Sequence, residues 1–151
     1  MSREIKFRGK KIDNGKWVYG AYYEHQPPLQ CIGENDEQSK HCIAKTAFAD
    51  WNMPRQVDVI EVEPETVGQF TGLKDKNGEE IYEGDLVKNS YISPLDDKVK
   101  SHIWEVEYET GMYWLRHINK MSQYDSSLFL KFTRIEVIGN KFEPWLAEDP
   151  E

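Results

Sequence analysis

Short stretches of alternating apolar and polar residues, separated by glycine-containing turns, constrain this chain most strongly. In the segment 4–8, EIKFR, Ile5 and Phe7 fall on one side and basic residues on the other, which is the period of a half-buried strand. The segment 102–109, HIWEVEYE, alternates tryptophan, valine and tyrosine with glutamate. Since side chains on a strand point to opposite faces in turn, both segments predict strands with one buried face.

Turn signals lie where such strands have to reverse direction. Asn14-Gly15 and Asn77-Gly78 predict two-residue turns with positive φ at both central positions. Glu83-Gly84-Asp85 predicts a second turn after 77–78, and Thr110-Gly111 links the segment 102–109 to 112–118. Consecutive strands joined by short turns form antiparallel hairpins.

The predicted fold is therefore mainly β. Antiparallel hairpins form a small barrel-like or pseudobarrel core with an SH3-like layout in the C-terminal half, and short helical turns are added. Pro64 is expected to start one helical turn, while residues 124–132 fit either a helix or a strand. The segments expected to be strands are 4–8, 17–23, 57–62, 86–88, 102–109, 112–118 and 134–139.

With 151 residues the chain is expected to form one domain. Residues 1–62 are interpreted as an N-terminal β lobe, and residues 63–151 as a C-terminal barrel-like lobe. The segment 25–56 is proline-rich at its start and polar in its middle. It is interpreted as an insertion, with a short hairpin between 31–32 and 42–48 as one alternative.

The net charge of −8 is unevenly distributed. Residues 1–16 contain six basic against two acidic residues, whereas the remainder contains 13 basic against 25 acidic. An acidic surface of this kind repels nucleic acid and anionic membranes. The chain contains no apolar run long enough to span a bilayer, and its first residues lack the apolar centre of a secretory signal. A cytoplasmic location is therefore expected.

The glycine-rich and acid-rich stretch 63–88, EPETVGQFTGLKDKNGEEIYEGDLVK, matches no ligand-binding motif. A P-loop requires glycine, four residues, then Gly-Lys-Ser/Thr, but Gly68 and Gly72 are too close together. The glycine spacing of a dinucleotide fingerprint is also missing. Aligning Gly78 with the glycine of a calcium loop leaves Leu73 and Gly84 at two ligand positions. The stretch is interpreted as a double turn that sets strand register.

Four side chains form the single plausible soft-metal set: His25, Cys31, His41 and Cys42. Their spacing does not pair two ligands in one short loop, as zinc sites do. The neighbours His41 and Cys42 point to opposite faces if they lie on a strand. No metal or other cofactor is therefore expected, and pairing of Cys31 with Cys42 is left open.

Catalysis is a less favoured alternative. The acids Asp85, Glu105, Glu107 and Asp125 are candidates for hydrolysis, but solvated strand faces are equally rich in acids, and no nucleophile or metalloprotease signature occurs. No catalytic residue is therefore assigned.

Nucleic-acid binding is the other alternative. Aromatic residues mixed with basic ones, as in KFR, KWVYGAYY and YWLRH, can stack single-stranded bases. A half-buried sheet produces the same pattern, and the overall charge is unfavourable. Nucleic acid is therefore not the expected partner.

Four blocks together resemble the YopX-like family of small phage and prophage proteins: REIKFRGKK at 3–11, WVYG at 17–20, residues 64–88 and IEVIGNKFE at 135–143. The chain departs from the family pattern at FRGKK and in the segment 25–56. The resemblance implies a β-rich intracellular protein and transfers no catalytic residue. The function expected is a non-catalytic interaction or regulatory module in the infected host cell. Its partner would be a host or phage protein, and homo-oligomers are also expected.

Overall fold

The computed structural model describes residues 4–27, 39–46, 51–52, 56–119 and 124–143. Of these residues, 59% lie in strands and 9% in helical turns. Every pair of neighbouring strands is antiparallel. The predicted mainly β, antiparallel architecture is confirmed. No helix in the described ranges is long and apolar enough to cross a membrane.

The described residues form eleven strands and three short helical elements. The helical elements are a 3₁₀ turn (Pro64–Thr66), α1 (Leu128–Lys131) and a second 3₁₀ turn (Phe132–Arg134). The strands are β1 (Phe7–Lys10), β2 (Trp17–His25), β3 (Lys40–Thr46), β4 (Val57–Glu61), β5 (Gly68–Lys74), β6 (Glu80–Tyr82), β7 (Asp85–Ile92), β8 (Val99–Glu109), β9 (Met112–His117), β10 (Tyr124–Ser127) and β11 (Glu136–Asn140).

The strands belong to two sheets, of order β4-β3-β2-β1-β5-β6 and β10-β9-β8-β7-β11. The sheets are not closed into a barrel. The predicted barrel-like layout thus reduces to a pair of open antiparallel sheets. Strand order is nevertheless simple, because most neighbours in each sheet are consecutive in sequence.

The chain divides into two compact units, residues 1–69 and 70–151. The sequence placed its lobe boundary slightly earlier, between residues 62 and 63. The boundary expected from sequence lies just before the 3₁₀ turn Pro64–Thr66. The helical turn predicted to start at Pro64 is therefore confirmed. Treatment of the chain as one domain remains a prediction.

The first unit has a small core of Val18, Ile43 and Val62, each at most 4% exposed. β2 is the central strand: its first half pairs with β1 and its second half with β3. β3 lies within the segment 25–56 that the sequence treated as an addition. It occupies an interior position of the sheet between β2 and β4, and its Ile43 is fully buried.

Curvature of this sheet brings the end of β4 against the end of β1. Val62 forms an isolated antiparallel bridge with Lys11. A Cβ on Gly9 would lie 3.0 Å from the side chain of Val62. Glycine at position 9 therefore leaves room for Val62 to reach the core.

The first hairpin is confirmed, but its predicted turn is wrong. Lys10 pairs with Trp17, so the connection spans residues 11–16 rather than two. Within it, Gly15 has a φ of 66° while Asn14 does not have positive φ. The Lys11 N–H donates to Lys16 O at 3.0 Å, and the Gly15 N–H donates to Lys11 O at 2.9 Å. These bonds close the longer loop.

The second unit has the larger core, which lies on the side of β8 and β9 predicted to be buried. Trp104 and Val106 of β8 are buried there, whereas Glu105 and Glu107 face the other way. A tryptophan buries enough area to anchor such a core. The core residues are Ile81, Val87, Trp104, Val106, Leu115, Leu128 and Ile135.

Two predicted turns of this unit differ in outcome. Thr110-Gly111 is a two-residue turn: Glu109 pairs with Met112, and both central residues have positive φ, 50° and 86°. At Asn77-Gly78 only Gly78 has positive φ, 81°. There Gly78 N–H donates to Asp75 O and Asp75 N–H donates to Glu79 O, so the loop has three residues and the predicted two-residue turn is wrong.

The ambiguous stretch 124–132 contains both predicted conformations in succession, because β10 ends at Ser127 and α1 begins at Leu128. β11 follows, as predicted for the segment that ends near Gly139. Phe142 is half-buried and lies beside Gly84. Trp145, predicted to pack on the core, lies outside the described residues.

Candidate functional site

Within the stretch 63–88, Asp75 makes structural hydrogen bonds, and its side chain is buried. Its Oδ1 accepts hydrogen bonds from the N–H groups of Asn77 and Glu79, at 2.8 and 2.9 Å. Its Oδ2 accepts from the N–H of Val137 at 2.9 Å. An aspartate just before an Asn-Gly turn is a signal for side-chain capping of that turn.

The candidate metal ligands do not form a cluster in the described part of the chain. His25 lies on β2 and His41 on β3, on opposite faces of the sheet, because Glu24, not His25, pairs with His41. Cys31 lies outside the described residues, as does any pairing of it with Cys42. Among the described side chains, no group of three or more His, Cys, Asp or Glu could hold a metal ion.

His41 and Cys42 have different structural environments. Nδ1 of His41 lies 2.5 Å from the hydroxyl of Tyr22, and the two rings stack. Burial, and then the charge of Glu61, raise the pKa of the Cys42 thiol, against an opposing effect of Lys40. Burial also raises the pKa of Tyr22, with Glu24 and Cys42 adding to it. A thiol held in its neutral form is a poor nucleophile.

The candidate catalytic acids are engaged in structural contacts. Arg116 forms ion pairs with both Glu105 and Glu107, and Lys141 lies 3.1 Å from Glu105. Asp85 is 1% exposed, and its Oδ2 accepts from the N–H of Tyr82 at 2.8 Å. The side chain of Asp125 lies outside the described part. The described acids thus act in turns and across strands.

Several exposed apolar side chains of the first unit lie on the side of its sheet turned away from Val18 and Ile43, here called the outer face. Strand register fixes its membership, since residues paired across antiparallel strands share a face. Tyr23 pairs with Cys42, and Ala44 with Val59. The outer face comprises Arg8, Lys10, Trp17, Tyr19, Ala21, Tyr23, His25, Lys40, Cys42, Ala44, Thr46, Val57, Val59 and Glu61.

Large apolar side chains are exposed on this face. Tyr19 and Tyr23 are 46% and 48% exposed, and Val57 and Val59 are 60% and 56% exposed. Single exposed apolar residues are normal on protein surfaces, whereas neighbouring ones mark interaction sites. Ala44 pairs with Ala21 on one side and with Val59 on the other, so β3 separates the two tyrosines from the two valines on this face.

The charges on the outer face are mainly basic. Arg8, Lys10 and Lys40 are cationic, although Arg8 is buried, and Glu61 is the acidic residue among its members. The Arg8 guanidinium lies 4.6 Å from the centre of the Trp17 ring, and the Lys10 amine 5.4 Å from it. Cations over an aromatic face are held there electrostatically. From the basic segment 1–16, Lys10 therefore contributes a charge to this surface, while Arg8 is buried beneath it.

The three basic and aromatic segments have different locations. KFR and KWVYGAYY lie side by side, since Arg8 pairs with Tyr19. YWLRH forms β9, where Leu115 belongs to the core and Arg116 to the ion pairs with glutamate. The aromatic and basic residues of YWLRH therefore have structural roles in the second unit.

The fold and this surface define a mostly β protein with two open antiparallel sheets and a mixed apolar and basic outer face on the first. The sequence model of the family described as "YopX protein" matches residues 6–146. The chain belongs to the YopX protein family.

Comparison with solved structures gives a similarity to the crystal structure of protein EF1440 from Enterococcus faecalis. The two chains are 18% identical, with a TM-score of 0.49 over 92% of this chain and 94% of that one. Among curated proteins, no significant match is found.

Proposed function

We propose that this protein is a non-catalytic interaction module whose outer face binds a partner protein in the phage-infected host cell. The observation that carries the proposal is that exposed Tyr19 and Tyr23 of β2 and exposed Val57 and Val59 of β4 share one sheet face. Interface cores are enriched in aromatic residues and poor in charge. Membership of the YopX family supports the phage context.

The charges of the outer face define the chemistry of the partner. Arg8 is buried at 6% exposure, so the accessible cations of the face are Lys10 and Lys40, on a chain whose residues 17–151 contain 13 basic and 25 acidic residues. Because like charges elsewhere on the protein repel an acidic partner, such a partner is oriented toward this face. The partner is therefore a protein surface with an apolar centre and acidic residues at its rim.

Single-stranded nucleic acid is the competing polyanion, and the spacing of the aromatic residues disfavours it. A stacking platform presents aromatic rings to successive bases. The exposed rings of Tyr19 and Tyr23 are four residues apart on one strand, about 13 Å at roughly 3.3 Å per residue. Ala21 lies between them, and Trp17 is already in contact with Arg8 and Lys10. The spacing of the aromatic rings therefore favours a protein partner over single-stranded nucleic acid.

The experiment is a comparative capture from host lysate with the tagged wild-type protein and the double variant Tyr19→Glu, Tyr23→Glu, with and without nuclease. A matched control, Ile92→Glu with Leu95→Glu, adds the same charge at exposed apolar positions of the second unit. Cross-linking then identifies the segment of the captured protein that touches the outer face.

The expected result is a nuclease-resistant partner that wild type and control retain, that the Tyr variant loses, and that touches the face through an acidic segment. Its retention should fall as salt is raised, since exposed charges are screened. Equal capture by all three proteins contradicts the proposal. Partners lost on nuclease treatment favour nucleic acid instead, and recovery of the bait alone favours self-association.

A further inference from the structure

β4 is the end strand of the first sheet, and among the described residues only its C-terminal end is bonded on the outer edge. There, the Ile12 N–H donates to Glu61 O at 3.3 Å, and the Glu63 N–H donates to Lys10 O at 2.9 Å. Toward β3, the Val62 N–H donates to His41 O at 2.8 Å. Odd-numbered residues of β4 thus direct their backbone groups away from β3, and even-numbered residues direct theirs toward it.

The same alternation applies to the N-terminal half of β4. The N–H and C=O groups of Val57 and Val59 point to the outer edge. In the ranges that the structure describes, no strand pairs with this edge. An end strand with unpaired backbone groups is a template for another strand, and strand addition is an established mode of peptide recognition.

We infer that an extended segment of the partner protein pairs antiparallel with Val57–Ile60 and extends the sheet beyond β4. The inference rests on the proposed function, because it describes how the partner of the outer face is held. Backbone bonds to Val57 and Val59 fix the added strand, while its outward side chains continue the exposed valine surface. The outer face and the β4 edge then form one continuous interface.

The side chains of β4 define the sequence of the added strand. Residues opposite Val57 and Val59 lie on the outer face and are apolar. The residue opposite Asp58 lies on the other face and is basic, since opposite charges facing each other across strands stabilise a pair. Asp58 is exposed and faces Lys45 on its other side. The residue opposite Ile60 is apolar.

A second copy of the chain fits this edge poorly. If Val59 faces Val59 of the copy, Asp58 faces Ile60 and Val57 faces Glu61, whose carbonyl already accepts from Ile12. Moving the register by one pair places Asp58 against Asp58, which like charge disfavours. The structure therefore favours a different chain with a basic residue at the matching position.

The test uses a synthetic peptide, Thr-Val-Val-Lys-Val-Thr with blocked ends, added to the full-length protein at up to millimolar concentration. In a two-dimensional NMR spectrum, the amide signals of Val57 and Val59 should shift and become protected from exchange. The amides of Asp58 and Ile60, directed toward β3, should stay protected throughout. No change at Val57 and Val59 overturns the inference.

Two variants separate backbone from side-chain recognition. Val59→Pro removes an outward donor without touching the ladder to β3, and edge strands accept proline at such positions. It should weaken peptide binding about tenfold or more, while Val59→Thr, which retains the N–H, should bind within about threefold of wild type. Equal binding by both variants contradicts strand addition. If Val59→Pro does not fold, the amide protection of the wild-type protein decides.

A charge exchange tests the register. The Asp58→Lys variant should not bind the lysine peptide but should bind the peptide in which that lysine is glutamate. Equal binding of both peptides contradicts the register.

The outer-face variant Tyr19→Glu, Tyr23→Glu should still bind the peptide. If the peptide fails while protein capture depends on Tyr19 and Tyr23, the proposed function stands and strand addition is wrong. If capture is independent of those tyrosines, the proposed function is wrong.

Discussion

The carboxylate of Asp75 accepts a hydrogen bond from the backbone N–H of Val137, 62 residues later in the chain, at 2.9 Å. The other oxygen of the same carboxylate holds the N–H groups of Asn77 and Glu79. One buried side chain therefore closes the turn before β6 and fixes the start of β11. Asp75, beside an Asn-Gly turn, thus links two distant parts of the second unit's sequence.

Replacing Asp75 with Asn should destabilise the protein by about 2 kcal/mol, since an amide NH₂ cannot accept a bond and leaves one buried N–H without an acceptor. Asp75→Ala should cost more because all three acceptor contacts are lost. Urea denaturation measures both changes. Asp13→Asn, at an exposed position without positive φ, is the control, and equal midpoints for all four proteins would contradict the role given to Asp75.

Gly78→Val should destabilise the protein by about 1–3 kcal/mol, because β-branched residues strongly disfavour positive φ. Gly78 has a φ of 81°, and a Cβ there would meet nothing within 4 Å, so the cost is purely one of backbone conformation. Gly78→Asn should cost less, since asparagine tolerates this region. Thermal melts compare the two, and an unchanged melting temperature for the valine variant would show that the φ is wrong.

Gly20→Ala should destabilise the first unit by about 2 kcal/mol or more. A Cβ at position 20 would lie 2.2 Å from Ala44 O, a backbone atom that cannot move aside without separating β2 from β3. Gly139→Ala is the matched control, as its Cβ would have nothing within 4 Å. Similar melting temperatures for both variants would contradict the close approach of the two strands.

Thr110→Asn should stabilise the protein by about 0.5–1 kcal/mol. Thr110 has a φ of 50° in a two-residue turn, and Asn-Gly is the preferred pair for such turns, while a β-branched residue is strained there. Chemical denaturation measures the gain. Thr133→Asn, outside any hairpin turn, should change little, and a gain of the same size at Thr133 would remove the turn explanation.

The free energy of unfolding should fall in alkaline solution. The pKa values of Cys42 and Tyr22 are raised in the folded state, so the folded protein holds these protons more tightly than the unfolded chain. Their contribution is complete below the unfolded pKa values, about 8.5 for cysteine and 10 for tyrosine, and is lost as the pH rises through the folded ones. A double variant Cys42→Ala, Tyr22→Phe should show a flatter decline between about pH 8 and 11. A steeper decline would reverse the sign of the linkage.

The positions of β2, β4, β8 and β9 were predictable from sequence because alternation is a local property. The strand predicted at 4–8 instead begins at Phe7, and β5 was not predicted. Trp104 and Val106 were correctly placed on the buried side of β8. The faces of β4 were not predictable, since Val57-Asp58-Val59-Ile60 has apolar residues on both sides. Ile60 pairs with the buried Ile43, which places Ile60 on the core side of the sheet. Val57 and Val59 therefore lie on the opposite face.

Turn types show the same limit. Asn-Gly is a local preference for positive φ, but the number of residues in a loop follows from the register of its strands. Lys10 pairs with Trp17, and the bridge of Lys11 to Val62 joins residues far apart in sequence. The outer face was missed for this reason: its members come from four strands that only the register brings together.

The order of strands in the first sheet also bears on protein synthesis. Phe7 and Arg8 pair with Gln69 and Gly68, so β1 lacks one of its two neighbours until residue 69 has emerged from the ribosome. Because domains fold as units during translation, a nascent chain stopped short of that point displays a bare strand edge next to its own N-terminus. Because unpaired strand edges promote aggregation, pairing with residues 68 and 69 should reduce the aggregation of such a chain.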